Sequence, residues 1–423
     1  MARQMKDSGI EWIGEIPETW KLSKVKYFVD CYDGKRVPID SGLRKSGPYP
    51  YWGAGSITDY VDDYLFDEEL VLLGEDGAPF FDYTRPVAFL INEKVWVNNH
   101  IHVLKPRKTV NSRFLVHYLN NVDYKSYING SILNKLTQSN MNNIAFTVPS
   151  LEEQEKIADY LDQQCAHIDA VIEKTKASIE EYKKLKQAVI TEAVTKGVRG
   201  ERPMKDSGMS FGINIPVDWD AVISRFVIDS IGDVDHAMPE STEVGYPYLM
   251  IGDLKSLSSE IDFHKAKKIS EDDYNRLIQK TKTVKGDVIF ARYATIGTVT
   301  YVDTDDEFVV SYACVTVHPQ KEKILGKYLF YYFKSETFFN DVQQYINSNT
   351  QGNVGIEALF KTKIVVPSIE EQAEITLYLD EKCNAMDILI EKKEQTVEEL
   401  ELYKKSLIYE YVTGKKEVPQ SCQ

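Results

Sequence analysis

The chain has 423 residues, 43% hydrophobic and 27% charged, which is ordinary for a globular protein and enough to bury more than one core. No apolar run approaches the ~18 residues of a membrane helix. Five scattered cysteines (Cys31, Cys165, Cys314, Cys383, Cys422) make neither a CxxC pair nor a disulfide scaffold, and a net charge of −15 argues at first against a nucleic-acid partner. Met1 to Asp7 lacks the apolar core of a signal peptide, so a reducing cytoplasm is the expected compartment.

Met5-Lys-Asp-Ser-Gly9, closing with Ile16-Pro17 and Trp20, opens the chain and returns 199 positions later as Met204-Lys-Asp-Ser-Gly208 with Ile215-Pro216 and Trp219. The first insert (21–147) follows the first copy. Glu69–Leu73, Lys94–Val97 and Ile101–Leu104 read as short buried strands, and the aromatic run Phe114–Tyr118 reads as helix. Val148-Pro-Ser150 then leads into a long helix, with Ser150 and Glu153 spaced as a capping box. Its seam runs through Ile157, Leu161, Cys165, Ile168, Ile172, Thr175, Ile179, Tyr182, Leu185, Val189 and Ala193, and Gly197 supplies the stop.

The second insert (220–365) repeats this order in altered form. Strands are expected at Asp287–Phe290, Gly297–Tyr301, Phe308–Val310 and Cys314–Val317, and a helix at Tyr328–Phe333. Val366-Pro-Ser368 opens the second long helix, whose seam holds Ile375, Leu379, Cys383, Met386, Ile390, Lys393, Val397, Leu400, Tyr403, Leu407 and Tyr411 before Gly414. Between Val148 and Thr195, 22 of 48 positions match their partners 218 residues on, whereas the inserts match only faintly and the second is 19 residues longer.

Divided by segment, the charge reads differently. The two helical stretches, 151–197 and 369–413, together contribute −10 of the −15. In the first insert, 77–147 holds 8 basic against 3 acidic residues, while 59–76 holds 8 acids and no base. The second insert stays acidic, with 16 basic and 21 acidic residues, although Lys265–Lys285 is rich in lysine. Overall acidity neither excludes DNA nor supports it.

The order of parts resembles the DNA-specificity subunit of type I restriction–modification enzymes over almost the whole chain. The residues that carry the resemblance are Gly9 to Trp20, Tyr49–Gly55 leading to Tyr60–Phe66, and the Val-Pro-Ser-Leu/Ile-Glu-Glu-Gln lead into each helix. In the second insert they are Gly245–Tyr248, Ile251–Asp253, Gly286–Arg292 and Ile296-Gly297. The resemblance implies a non-catalytic subunit in which two target-recognition domains each read half of a bipartite, asymmetric site. It implies as partners double-stranded DNA, two methyltransferase subunits docked on the helices, and restriction/translocase subunits. S-adenosylmethionine, ATP and Mg2+ would belong to those partners, and this chain would hold no cofactor or metal. One departure stands: Leu73–Ala78 gives Arg292 no plain counterpart in the first insert.

The expected fold is mixed α/β: a first target-recognition domain at 1–149, a spacer helix at 150–197, a second domain at 198–367, a second helix at 368–414 and a tail at 415–423. The two helices are expected to pair antiparallel as an intramolecular coiled coil with pseudo-two-fold symmetry, the alternative being that each packs on its own insert or on a second subunit. Were 151–195 one helix, its 45 residues would span roughly 68 Å, about 20 base pairs of B-DNA, and would set the spacing of the half-sites. The same pairing places Thr413 near Trp12.

For DNA contact the candidates in the first insert are Lys35, Arg36, Arg44, Lys45, Trp52 and Arg85, with Lys94, Arg107 and Arg113 as additions. In the second they are Lys265, Lys267, Lys268, Lys282, Lys285 and Arg292. Lysine and arginine neutralise phosphates, and Arg, Asn and Gln read base edges; the polar stretches 134–143 and 347–353 hold base readers or loop residues. A solvated surface cation is the plain alternative for each.

No catalytic set is found: there is no Walker A pattern, and Gly53-Ala-Gly55 reads as a turn. His100 and His102 would share a strand face with no carboxylate or cysteine pair to complete a metal site. Cys165 and Cys383 read as small buried seam residues. The alternative to a DNA reader is a coiled-coil adaptor that binds proteins through its two α/β domains.

Overall fold

The computed structural model describes residues 3–128, 134–293, 296–346 and 352–419. It forms two compact units, one of Met1–Lys176 with Glu394–Gln423 and the other of Ala177–Lys393. The division cuts through both long helices, so each unit owns one insert and half of each helix. Segments separated by sequence as helix and domain are therefore packed together.

The long helices are continuous, Leu151–Lys196 and Ile369–Val412. Each starts as the caps require: Ser150 Oγ accepts from Glu153 N and Ser368 Oγ from Glu371 N, both at 3.2 Å. The glutamates do not turn back to complete the boxes. Glu153 instead accepts from Trp20 Nε1 and Glu371 from Trp219 Nε1, both at 3.0 Å. Gly197 and Gly414 end the helices with φ of +81° and +74°, a conformation that a side chain resists. A Cβ on Gly414 would also stand 2.5 Å from Pro17 Cδ.

Within the first unit the two helices run antiparallel. The Tyr160 and Tyr411 rings lie 4.7 Å apart, Lys404 reaches Asp169 at 2.7 Å, and Lys176 reaches Glu401 at 3.4 Å. In the second unit the equivalent pair is Lys186 with Asp387 at 2.6 Å. These exposed pairs contribute little; the seam contributes more, since each fully buried aliphatic side chain is worth about 1.5–3 kcal/mol. Ile157, Leu161, Cys165, Ile168, Ile172 and Ile179 are buried, as are Ile375, Leu379, Cys383, Ile390 and Val397. Burial pushes the Cys165 thiol up to about 11.

The regular seam fails once in each helix, at matching places: Leu185 is 49% and Tyr403 55% exposed, while Ile190 and Leu407 are buried. Each exposed residue stands six residues after a buried seam residue, Ile179 or Val397, and at 3.6 residues per turn six residues leave it about 120° from that residue's face.

Each insert holds an antiparallel four-stranded sheet. In the first the order is Val29–Cys31, Ile101–Pro106, Leu70–Gly74, Ala88–Ile91; in the second it is Ile228–Gly232, Cys314–Pro319, Val288–Ala291, Val299–Tyr301. The strands expected at Glu69–Leu73, Ile101–Leu104, Asp287–Phe290, Gly297–Tyr301 and Cys314–Val317 fall within two residues of members of these sheets, whereas Val29–Cys31, Ala88–Ile91 and Ile228–Gly232 were not expected. Helices Ser112–Leu119 and Gly326–Phe333 pack on the sheets through the aromatic runs expected to be helical. A second sheet brings Ser46–Trp52 parallel to Lys94–Val97, and its counterpart brings Tyr246–Leu249 parallel to Val309–Val310. Tyr51 and Tyr248 take equivalent, fully buried places in these pairs. Gly53–Ser56 is the turn between Ser46–Trp52 and Ile57–Val61, with Gly53 N donating to Ser56 O at 2.9 Å.

In the first unit the chain closes back on itself. Tyr409 Oη donates to Ile13 O at 3.1 Å, Lys415 Nζ to Glu15 O at 3.0 Å, and Thr147 Oγ1 to Val412 O at 2.7 Å. The region of Thr413 thus lies against the first repeat, as the antiparallel reading requires.

Candidate nucleic-acid interface

The candidate cations divide into free, paired and interior groups. Lys45 and Arg85 are exposed. Lys35 is exposed too, with its ammonium 3.5 Å over the Tyr32 ring. Arg44 stacks 4.2 Å over Tyr51 and reaches Asp59 at 3.3 Å. Lys267 takes the matching place 5.8 Å over Tyr248, and its Nζ donates to Pro239 O at 2.6 Å. Lys268, its neighbour on the strand, is half-buried.

Several candidates already hold an acid of the same chain. Lys265 lies 3.3 Å from Asp262, Lys282 2.8 Å from Glu307 and Lys285 3.6 Å from Asp303. Lys94 lies 3.8 Å from Asp67 and Arg107 2.7 Å from Asp30. Arg113 bridges Asp159 and Asp162 on the first long helix at 2.7 and 2.8 Å, which ties the insert to the scaffold.

Arg36, Trp52 and Arg292 do not lie on the surface. Trp52 is buried against Phe89, ring centroids 5.0 Å apart. The Arg36 guanidinium sits at the end of the sheet, 2.5 Å from Glu75 and 3.6 Å from Asp33, and donates to Ile101 O at 2.9 Å. Arg292 is 7% exposed, pairs with Asp233 and lies 4.6 Å from the Tyr293 ring. The part of the polar stretch at 347–351 lies outside the described residues.

The histidines differ from the sequence reading. His100 lies in the turn before the strand, half exposed, so it shares no strand face with His102. His102 is fully buried, and two carboxylates do come to it: Asp33, Glu75 and His102 place ligand-type atoms within 4.8 Å of one another. Folding supplies what spacing could not, because Asp33 and Glu75 come from different strand ends. The donor set does not suit a cation, however. Nδ1 is 2.6 Å from Asp33 Oδ2, Nε2 faces Leu136 O at 2.8 Å, and the Arg36 guanidinium and the Lys135 ammonium already lie against the carboxylates. Burial pushes the Asp33 carboxyl up. The bound His102 ring, the Val103 N–H and Arg36 outweigh it and hold the group below the usual carboxylate range.

Sequence reasoning missed Asp33, Glu75, His102 and Asp233 as members of charged clusters. It also missed Gln154 and Gln372, which accept from Asn111 N and Leu325 N at 2.8 Å and so pin each insert to its helix. The signal for the glutamines was present in the repeated Glu-Glu-Gln.

Duplicated frames, paired helices and two unlike α/β inserts with exposed cations define a chain that presents two different surfaces on one repeated scaffold. The family model described as the type I restriction modification DNA specificity domain matches residues 17–181 and again 234–399, and the chain belongs to that family. It is similar to a type I restriction enzyme specificity subunit of Haemophilus influenzae, 27% identical over 85% of this chain and 86% of the relative. It is also similar to the MjaVIII specificity subunit of Methanocaldococcus jannaschii, 24% identical over 95% and 93%. A solved chain from work on complex assembly of the type I restriction–modification system shares the fold, with a TM-score of 0.67 over 95% of this chain and 99% of that one at 16% identity.

Proposed function

We propose that this chain is the sequence-reading subunit of a type I restriction–modification complex. Each insert reads one half of a bipartite, asymmetric DNA site, and the helices dock two methyltransferase subunits and hold the inserts at a fixed spacing. The observation that carries the reading is the match of the specificity family to both copies of a repeated frame whose inserts are unlike. A scaffold that repeats suits two copies of one partner, and surfaces that differ suit two different half-sites.

The subunit itself is non-catalytic. S-adenosylmethionine, ATP and Mg2+ are used by the methyltransferase and restriction/translocase partners. Lys35, Lys45 and Arg85 are open to phosphates, whereas Lys265, Lys282 and Lys285 exchange an internal acid for a phosphate on binding. Base discrimination falls to Asn, Gln and Arg side chains in the groove.

Co-expression tests this reading. Methyltransferase subunits that co-purify with the chain, together with sequence-specific and salt-sensitive DNA binding, are the expected result. Protein partners without DNA binding would favour a coiled-coil adaptor.

A further inference from the structure

Strand register aligns the two inserts where their sequences do not. In the first, the central strand ends at Gly74 opposite Ile101, Glu75 N donates to His100 O, and Glu75 O accepts from Leu136 N. In the second, the central strand ends at Ala291 opposite Cys314, Arg292 N donates to Ala313 O, and Arg292 O accepts from Val354 N. Glu75 and Arg292 therefore occupy one place in the fold. On the neighbouring strands Cys31 faces Leu104 and Ile231 faces Val317, which brings Asp33 and Asp233 into a second shared place. The missing counterpart of Arg292 is thus a glutamate of opposite charge.

The same junction is neutralised in two ways. In the second insert Arg292 pairs directly with Asp233. In the first, two acids meet there, and the compensating charge comes from Arg36 on the loop after the first strand and from Lys135, 3.7 Å from Glu75, with His102 beneath. Three residues past the shared aspartate stands Arg36 in one insert and His236 in the other, while the place of His102 is taken by Val315. Both versions tie the loop after the first strand to the end of the central strand. The next peptide of that strand grips the polar stretch ahead of the long helix, through Leu136 N or Val354 N. The Lys35 turn and the 134–143 stretch, both candidates for DNA contact, thus hang from one ionic junction.

We propose that this junction is the positioning element of half-site recognition, built from Asp33, Arg36, Glu75 and His102 in the first insert and from Asp233 and Arg292 in the second. The inference rests on the reading of the inserts as DNA readers. Each junction sets the mutual placement of its own recognition loops and leaves the other insert untouched. A covered ion pair suits this role, because a wrong loop placement would strand a desolvated charge.

The test uses the full chain with its methyltransferase partners and reads the methylated motif, one half-site at a time. A wild-type complex that methylates no bipartite motif would overturn the functional reading itself, and that outcome is scored first. Given a motif, Glu75→Gln and Glu75→Arg are expected to lower discrimination at one half-site on the order of tenfold, while the other half-site keeps its preference and serves as the control for folding. The combined variant Arg36→His, Glu75→Arg, His102→Val, made with Lys135→Asn because Asn353 holds the place of Lys135, writes the second insert's junction into the first and is expected to restore discrimination lost in Glu75→Arg. Arg292→Gln should act on the opposite half-site alone. Unchanged discrimination in the Glu75 variants, equal loss at both half-sites, or a folded combined variant no better than Glu75→Arg would each overturn the proposal.

Discussion

The frames and the inserts treat charge in opposite ways. In the frames, Arg3, Trp20 and Glu153 recur as Arg202, Trp219 and Glu371 with the same bonds: each arginine lies over its tryptophan, at 5.2 and 4.8 Å, and each tryptophan donates to its glutamate at 3.0 Å. In the inserts the sheet is kept, but the charges at its end are inverted from Glu75 to Arg292. Where the frame repeats, its side chains and their bonds repeat; where the inserts diverge, only the backbone scaffold does.

The strongest way to break this comparison is through the frame glutamates, which share their bonds but not their burial. Glu371 has a side chain 1% exposed, paired with Arg202 at 2.5 Å, so Glu371→Ala should cost about 3–5 kcal/mol. The Glu153 side chain is 29% exposed, and Glu153→Ala should cost about 1 kcal/mol. Denaturant unfolding of both variants checks this, and equal losses would mean that burial does not separate the two frames.

Helix length sharpens the comparison from the scaffold side. Four residues added within the spacer helix contribute ~6 Å of rise and should widen the preferred gap between half-sites by about two base pairs, leaving both half-sites unchanged. Methylation of targets with varied gaps reads this directly, and a fixed gap would remove the helices as the spacing element. The smallest effect belongs to single surface cations: Lys45→Ala or Arg85→Ala should weaken binding evenly across sequences and reduce the salt slope by about 0.9 each. A slope that does not move would take that residue out of the interface.

The frames, the two long helices and seven of the sheet strands were legible in the sequence because repetition and periodicity are local signals, whereas strands such as Val29–Cys31, Ser46–Trp52 and Ile228–Gly232 were not. Leu185 and Tyr403 were misplaced because two successive steps of three leave the face that alternating steps of three and four keep. The charged junction was invisible for a different reason. His102 lies on one strand while Asp33 and Glu75 follow the ends of two others, and their meeting depends on register that no spacing encodes. The candidate cations were chosen by type alone, so the choice could not separate exposed Lys45 from Arg36 and Arg292, whose charges are spent inside.

The central claim, that the unlike inserts carry specificity and the repeated frames do not, is tested most directly by replacing residues 21–147 with a second copy of 220–365. Methylome sequencing of cells carrying this chain with its partners should show a new motif containing the second half-site twice, with the first half-site gone. An unchanged motif, or one in which the second half-site is altered, would contradict the account.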